Sequence, residues 1–259
     1  MLLYVYTGNN TMTIGICKYC GQECELIKSH IIPKALYQID KLGGVVGINS
    51  KERKLDRNPE HQNGIKMPLL CKNCDNLLGK LDGYANRVLN GAVPKIKTYH
   101  SVDNSKCIRL PADQYDIPRI RKFFISLIWR FSVIDTRPFP LGKYSDIALK
   151  ILKGEMPDDE RLFLPLIYKR ATGGHVDNFV AAYRIRYLNK WAYDIRFPGY
   201  EVIIIVNTEN SCDKQMMEMH KKLFNKNEIL IVEINRPTPV DYQLVNTLMI
   251  SRGPKPPNK

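Results

Sequence analysis

The sequence predicts an α+β protein in four parts. These are a small metal-stapled unit over residues 13–90, a connecting segment over 91–118, a mixed α+β region over 119–250 and a basic, disordered tail over 251–259. Three observations lead there. Two cysteine pairs, Cys17-Lys-Tyr-Cys20 and Cys71-Lys-Asn-Cys74, stand 50 residues apart. The residues after the second pair recur at helical spacing. The second half holds β-rich runs interrupted by helical stretches. Two CxxC pairs supply four thiolates, the donor set of a closed tetrahedral structural zinc site. The interval between them exceeds that of a compact zinc ribbon, so a folded segment must sit within it.

Taken in order, residues 1–11 contribute no recognisable element, and Met12 is a candidate start. Residues 16–24 read as a zinc knuckle, because CxxCG makes a tight turn whose amides can face the sulfurs. Residues 25–30 read as a short strand that Pro33 prevents from continuing, and 34–39 as a helical turn. From 42 to 63 the chain is polar, with Gly43-Gly44 and the run Lys51-Glu-Arg-Lys54, a mobile loop or a weak hairpin. Residues 67–70 are a second strand. Beyond Cys74, Leu77, Leu78, Leu81, Tyr84, Ala85 and Val88 recur at three- and four-residue steps, a helix with Asp75 at its start.

Residues 90–118 read as irregular passage. Residues 120–133 predict a strong helix with one apolar face of Ile120, Phe124, Leu127, Ile128 and Phe131, and Trp129 beside it. A shorter helix follows at 146–153. Strands are expected at 180–188, 201–206 and 229–234, with a helix at 213–224. The alternation in Tyr183-Arg-Ile-Arg-Tyr187 suits a half-buried strand better than a nucleic-acid face.

The net charge of +13 is spread along the chain, +6 in residues 1–100 and +7 in the remainder. Such a surface favours polyanions, of which nucleic acid is the common cytoplasmic one. No run of about 18 apolar residues is present, so no membrane-spanning helix is expected. The first residues lack a secretory pattern, and seven cysteines, four of them in CxxC pairs, suit a reducing interior better than a disulfide framework. The expected location is the cytoplasm. Cys24 is near enough to compete as a metal ligand, whereas Cys107 and Cys212 read as packing residues.

Within the insert, Ser29-His30-Ile31-Ile32-Pro33 carries the chemistry. A lone histidine on a strand is often a satisfied core residue. A neutral imidazole near pH 7 can also take a proton from water in front of a phosphodiester. Asp75, set by the second cysteine pair, can be a helix cap or an oxygen ligand for a divalent cation. Lys28, Lys34, Lys72 and Lys80 lie close in sequence to these groups and could meet phosphates without reading base sequence.

The order CxxC, His-Ile-Ile-Pro, Leu-Cys-x-x-Cys and a polar residue resembles the zinc-bearing branch of the HNH (ββα-metal, His-Me finger) endonucleases. It also resembles bacterial and phage HNH-like proteins sharing Ser-His-Ile-Ile-Pro-Lys and Leu-Leu-Cys-x-x-Cys, with Ile128-Trp129-Arg130 fitting their wider pattern. The likeness covers about the first third of the chain. It implies an HNH-like ββα-metal unit with Zn2+ on Cys17, Cys20, Cys71 and Cys74, His30 as general base, and Asp75 as a ligand of catalytic Mg2+ or Mn2+. The implied substrate is nucleic acid, DNA before RNA, and the implied setting is antiphage defence, a mobile element or a toxin. The chain departs from the family at Ser29, where a carboxylate or a second histidine is usual. Among Asp56, Glu60 and His61, His61 is the leading replacement ligand. A non-catalytic zinc-stabilised module that binds nucleic acid or protein is the competing expectation, and a thiol redox protein would require metal-free, reducible pairs. The C-terminal region is a candidate surface for a protein partner.

Overall fold

The computed structural model describes residues 3–7, 10–37, 47–49, 54–56, 64–91, 99–102, 105–134, 141–170, 181–209 and 214–235. His61, Glu60, Cys212 and the tail lie outside them; of Asp56 only the backbone is described. The fold is mixed α+β, as expected, and its elements are of two scales.

The smaller scale begins with strands β1 (Leu3–Thr7) and β2 (Asn10–Ile16), which pair antiparallel; β2 pairs in turn with β3 (Glu23–Glu25). Residues 1–11, expected to be featureless, thus supply β1 and the start of β2. The single strand expected at 25–30 is two. β3 belongs to this sheet, whereas β4 (Ile27–His30) pairs antiparallel with β7 (Lys66–Leu70). Leu26 is the break: buried, its amide donates to the Thr13 carbonyl at 2.8 Å. The register shifts between Ile27 and Lys28, which pair with Leu70 and Pro68, so that Leu69 is the extra residue of an irregularity in β7. Between them lie a short 3-10 turn at Lys34–Leu36 and an antiparallel hairpin of β5 (Gly47–Asn49) and β6 (Lys54–Asp56). Gly64 opens the return to β7 with φ +73° and the Tyr37 ring 2.8 Å from where a Cβ would stand. A side chain there would clash as well as strain the backbone.

Helix α1 (Lys72–Leu89) follows β7 directly, with Cys71 as its N-cap. It begins three residues earlier than the sequence pattern implied. Asp75 is therefore inside the first turn, its amide already bonded to the Cys71 carbonyl at 3.0 Å, and does not cap the helix. Cys74, Leu78, Ala85, Val88 and Leu89 are buried, while Leu77, expected on the apolar face, is exposed.

The larger scale is a seven-stranded sheet. Its strands are β8 (Tyr99–Val102), β9 (Ser105–Pro111), β10 (Phe163–Arg170), β11 (Ala181–Tyr187), β12 (Lys190–Phe197), β13 (Tyr200–Val206) and β14 (Glu228–Ile234). Their spatial order is β11-β12-β13-β10-β14-β9-β8, antiparallel throughout except for the parallel β10–β14 pair. The segment read as irregular passage therefore contributes β8 and β9, and β10 and β12 were not foreseen.

Helix α2 (Ile117–Ser132) is capped by Asp116, whose Oδ1 accepts from the Arg119 amide at 3.0 Å, with Pro118 in the first turn. It was expected to bury one face. Instead almost every residue from Ile120 to Phe131 is buried, the mark of a central helix. Its two buried arginines each meet a carboxylate: Arg121 to Asp158 at 2.6 Å and Arg130 to Asp82 at 2.9 Å. Helices α3 (Lys143–Lys153) and α4 (Lys214–Leu223) complete the set; α3 packs on α2, and α4 on β14 and β10. No helix among the described residues is long and apolar enough to cross a membrane.

One face of the large sheet holds a buried charge cluster. Glu201 accepts from Arg170 at 2.6 Å and from Arg196 at 3.0 Å, and Arg196 also meets Asp194 at 3.0 Å. All four side chains are at most 3% exposed. Burial drives the Asp194 carboxyl up, against the pull of Arg196. Two cations balance two anions, so removing one carboxylate leaves an uncompensated charge. Glu201→Gln should lower unfolding free energy by about 3–5 kcal/mol in a urea titration, and a loss under 1 kcal/mol would mean the cluster relaxes around the change.

Candidate metal centre and the adjoining histidine

The four predicted cysteines converge. The sulfurs of Cys17, Cys20, Cys71 and Cys74 all lie within 4.8 Å of one another. A tetrahedron with Zn–S bonds of about 2.3 Å places its sulfurs ~3.8 Å apart, so this is the spacing of a ligand cage. The local chain makes it so. Cys17 and Cys20 flank a turn closed by the Gly21 amide on the Cys17 carbonyl at 2.9 Å, with Gly21 at φ +78°. The Lys18 amide bonds the Leu69 carbonyl at 3.1 Å, pinning the turn to β7. Cys71 and Cys74 bracket the first turn of α1.

The sulfurs differ electrostatically. Burial pushes the Cys17 thiol up, but the amides of Cys20, Cys71 and Tyr19 together with the Cys20 thiol outweigh it and bring it down to about 7. The Cys71 amide donates to the Cys17 sulfur at 3.3 Å. Burial and then the neighbouring thiols hold Cys74 well above its ordinary range. Four close thiols cannot all ionise unaided, and a soft divalent cation removes that conflict. The donor set therefore fits a metal such as zinc. Cys24 is outside the group; its thiol donates to the Gln22 carbonyl at 3.4 Å.

His30 ends β4, half-buried, on the same side of the strand as exposed Lys28. Ser29 is 2% exposed on the opposite side, and its hydroxyl donates to the Ile27 carbonyl at 3.5 Å. The serine, at the position where the sequence resemblance implies a metal ligand, is thus turned into the interior. Asp75 is half-buried in the first turn of α1. Asp82 stands seven residues on, hence on the same helix face, and the Asp75 charge is one of the influences that raise the Asp82 carboxyl. Burial is the larger one, while Arg130 lowers it.

Arg130 was noticed in the sequence only as part of a pattern, and Asp82 not at all. Nη2 of Arg130 lies 2.9 and 3.0 Å from the two Asp82 oxygens, and Nη1 donates to the His30 carbonyl at 3.5 Å. The signal available in the sequence was an arginine in a helix otherwise fit for full burial, and an acidic residue a whole number of turns from Asp75. Lys28, Lys34, Lys72 and Lys80 are all exposed. Among the described residues the cysteine group is the one set of three or more His, Cys, Asp or Glu gathered closely enough for a metal. His61, the other ligand expected beside Asp75 for a catalytic cation, lies outside the described residues.

Comparison of the chain with protein-family models, with curated proteins and with solved structures gave no match.

Two outcomes follow from this geometry. Metal analysis of the purified protein should find about one zinc per chain, and Cys74→Ser should remove most of it; full zinc retention would show that the cage is not the binding site. Asp82→Ala should cost about 3–5 kcal/mol in urea unfolding, because it strands the 3%-exposed Arg130 side chain without its counter-charge.

Proposed function

We propose that the chain is a divalent-metal-dependent endonuclease that hydrolyses phosphodiester bonds in nucleic acid, DNA before RNA. In this reading Zn2+ on the four cysteines is structural and His30 is the general base. One observation carries the reading. Two antiparallel strands, β4 and β7, lead straight into a helix whose first turn bears both the last two sulfurs and Asp75, with His30 at the end of β4. This order of elements supports the ββα-metal unit that the sequence resemblance implies.

His30 takes a proton from a water in line with the scissile phosphorus at a ring nitrogen. The Arg130 bond to its carbonyl steadies the backbone from which the ring projects. Lys28 on β4 and Lys72 in the first turn of α1 are exposed and meet the flanking phosphates, which positions the strand without reading its sequence. Mg2+ or Mn2+, when bound, would neutralise charge on the phosphate and the leaving oxygen. Asp75 is the carboxylate this chain offers it, and the buried Ser29 hydroxyl is not a substitute.

A second reading keeps the zinc scaffold and its basic surface but not cleavage: a module that binds nucleic acid or a protein. Buried Ser29 favours it, because the position expected to hold a metal ligand offers none.

Supercoiled plasmid and a single-stranded RNA, each incubated with Mg2+ or Mn2+, separate the two. Wild type should cut one of them, and His30→Ala at matched zinc content should cut at least about 100-fold more slowly. Equal cutting by both proteins would remove His30 from the mechanism. No cutting by zinc-loaded wild type would give the binding module precedence.

A further inference from the structure

A second site lies on the large sheet, on the hairpin of β11 and β12. Its register sets Arg186 opposite Trp191 and Arg184 opposite Tyr193, so all four side chains share one face. The guanidinium carbons of Arg184 and Arg186 lie 4.0 and 3.9 Å from the centre of the Trp191 ring. The hairpin turns through Leu188 and Asn189, both left-handed at φ 47° and 59°, and the Asn189 carbonyl accepts from Arg186 at 3.3 Å. These groups line a cleft of about 430 Å³ whose other wall includes Tyr144.

This cleft is positively charged, and its arginines resemble Arg87 and Arg119, which lie over the Tyr84 ring, in meeting an aromatic ring rather than a described carboxylate. Arg109, Arg121, Arg130, Arg161, Arg170 and Arg196 each hold a carboxylate. Arg184, Arg186 and the adjacent Lys190 form no ion pair with any described carboxylate; Lys190 donates to the Glu209 backbone carbonyl instead. Two guanidinium groups against one indole repel each other, and no carboxylate among the described residues pairs with them. Trp191 is 40% exposed, one of the few large apolar side chains so placed. An inorganic anion would satisfy the arginines but would have no use for an exposed indole beside the half-buried Tyr144 ring. A nucleotide uses both, its phosphate on the arginines and its base against the aromatic–guanidinium stack. A duplex keeps its bases within its own stack, so the fitting ligand is a single strand.

We propose that the Arg184–Trp191–Arg186 cleft binds single-stranded nucleic acid through base stacking and phosphate contacts. This site stands on its own geometry and does not depend on cleavage at His30.

The test uses full-length, zinc-loaded protein carrying His30→Ala, without added divalent cation, so that binding is read apart from any cutting. The probe is a fluorescein-labelled oligothymidylate of about eight nucleotides, followed by anisotropy. Unlabelled inorganic polyphosphate of similar charge and a duplex of the same length serve as competitors. The oligothymidylate should bind, and Trp191→Ala should weaken it by about tenfold or more. Trp191→Phe should restore most of the loss, since a phenyl ring still stacks. Arg184→Gln with Arg186→Gln should weaken binding of both oligothymidylate and polyphosphate. Each variant is first matched to its parent by circular dichroism and thermal melting. The proposal is overturned if the oligothymidylate fails to bind, if Trp191→Ala leaves its affinity unchanged, or if duplex or polyphosphate competes as well as the unlabelled oligothymidylate. Any of these results leaves the plasmid and RNA cleavage outcome, and with it the role of His30, to stand or fall separately.

Discussion

Four sulfurs within 4.8 Å constrain more of the chain than their own residues. Because Cys71 and Cys74 bracket a helical turn, α1 must start at the end of β7, and Asp75 has no choice but to lie in the first turn. Because Cys17 and Cys20 close the other side, the turn between β2 and β3 is held against β7. Tyr19, caught between those two cysteines, extends the constraint outward. It is buried, its hydroxyl donates to the Leu152 carbonyl at 3.2 Å, and its ring meets Trp129 edge-on at 5.9 Å. A cage of small side chains thus fixes the position of strands, a helix start and a packing contact with α2 and α3.

Arg130 adds a directional tie that the sulfurs cannot. It is a fully charged group in a fully buried helix, and burial of that kind persists only with a counter-charge. Asp82 supplies it through Nη2, and Nη1 reaches the His30 backbone. Tyr200 makes a comparable link from the sheet, donating to the Leu89 carbonyl at the end of α1 at 2.5 Å. The face of α1 that carries Asp75 and Asp82 is therefore fixed against α2 from one side, and its C-terminal end is held from the other.

What could be read in the sequence followed from how local the deciding physics was. The cysteine cage was legible because spacing and thiolate chemistry nearly determine it. The helices were legible because their periodicity is local, though α2's burial on all sides was not, since two arginines disguised a core helix. The strands at 99–111, 163–170 and 190–197 escaped notice. Ser105–Pro111 and Lys190–Phe197 are rich in charge, and their stability comes from partners distant in the chain. Arg196 and Asp194 look like surface residues until Glu201 and Arg170 are beside them. The break at Leu26 was equally invisible, because nothing in Glu-Leu-Ile says that two neighbouring strands belong to different sheets. His61, on which part of the metal reading rested, lies outside the described residues.

The place of β14 in the large sheet has a consequence for how the chain assembles. It lies between β10, which it meets in parallel, and β9, which it meets antiparallel. Without residues 228–234 the sheet is two fragments, the meander of β11 to β13 with β10 added beside β13 and a hairpin of β8 and β9, with no ladder between them. Pairing of Cys107 with Val232 closes a loop of well over a hundred residues, and a contact at that sequence separation forms late. On a ribosome, the cysteine unit can therefore be complete while the two sheet fragments still expose unpaired edges. Among the described strands the last to emerge is the one that seals both, which makes the nascent chain's vulnerability to edge-to-edge association a matter of how quickly that segment arrives.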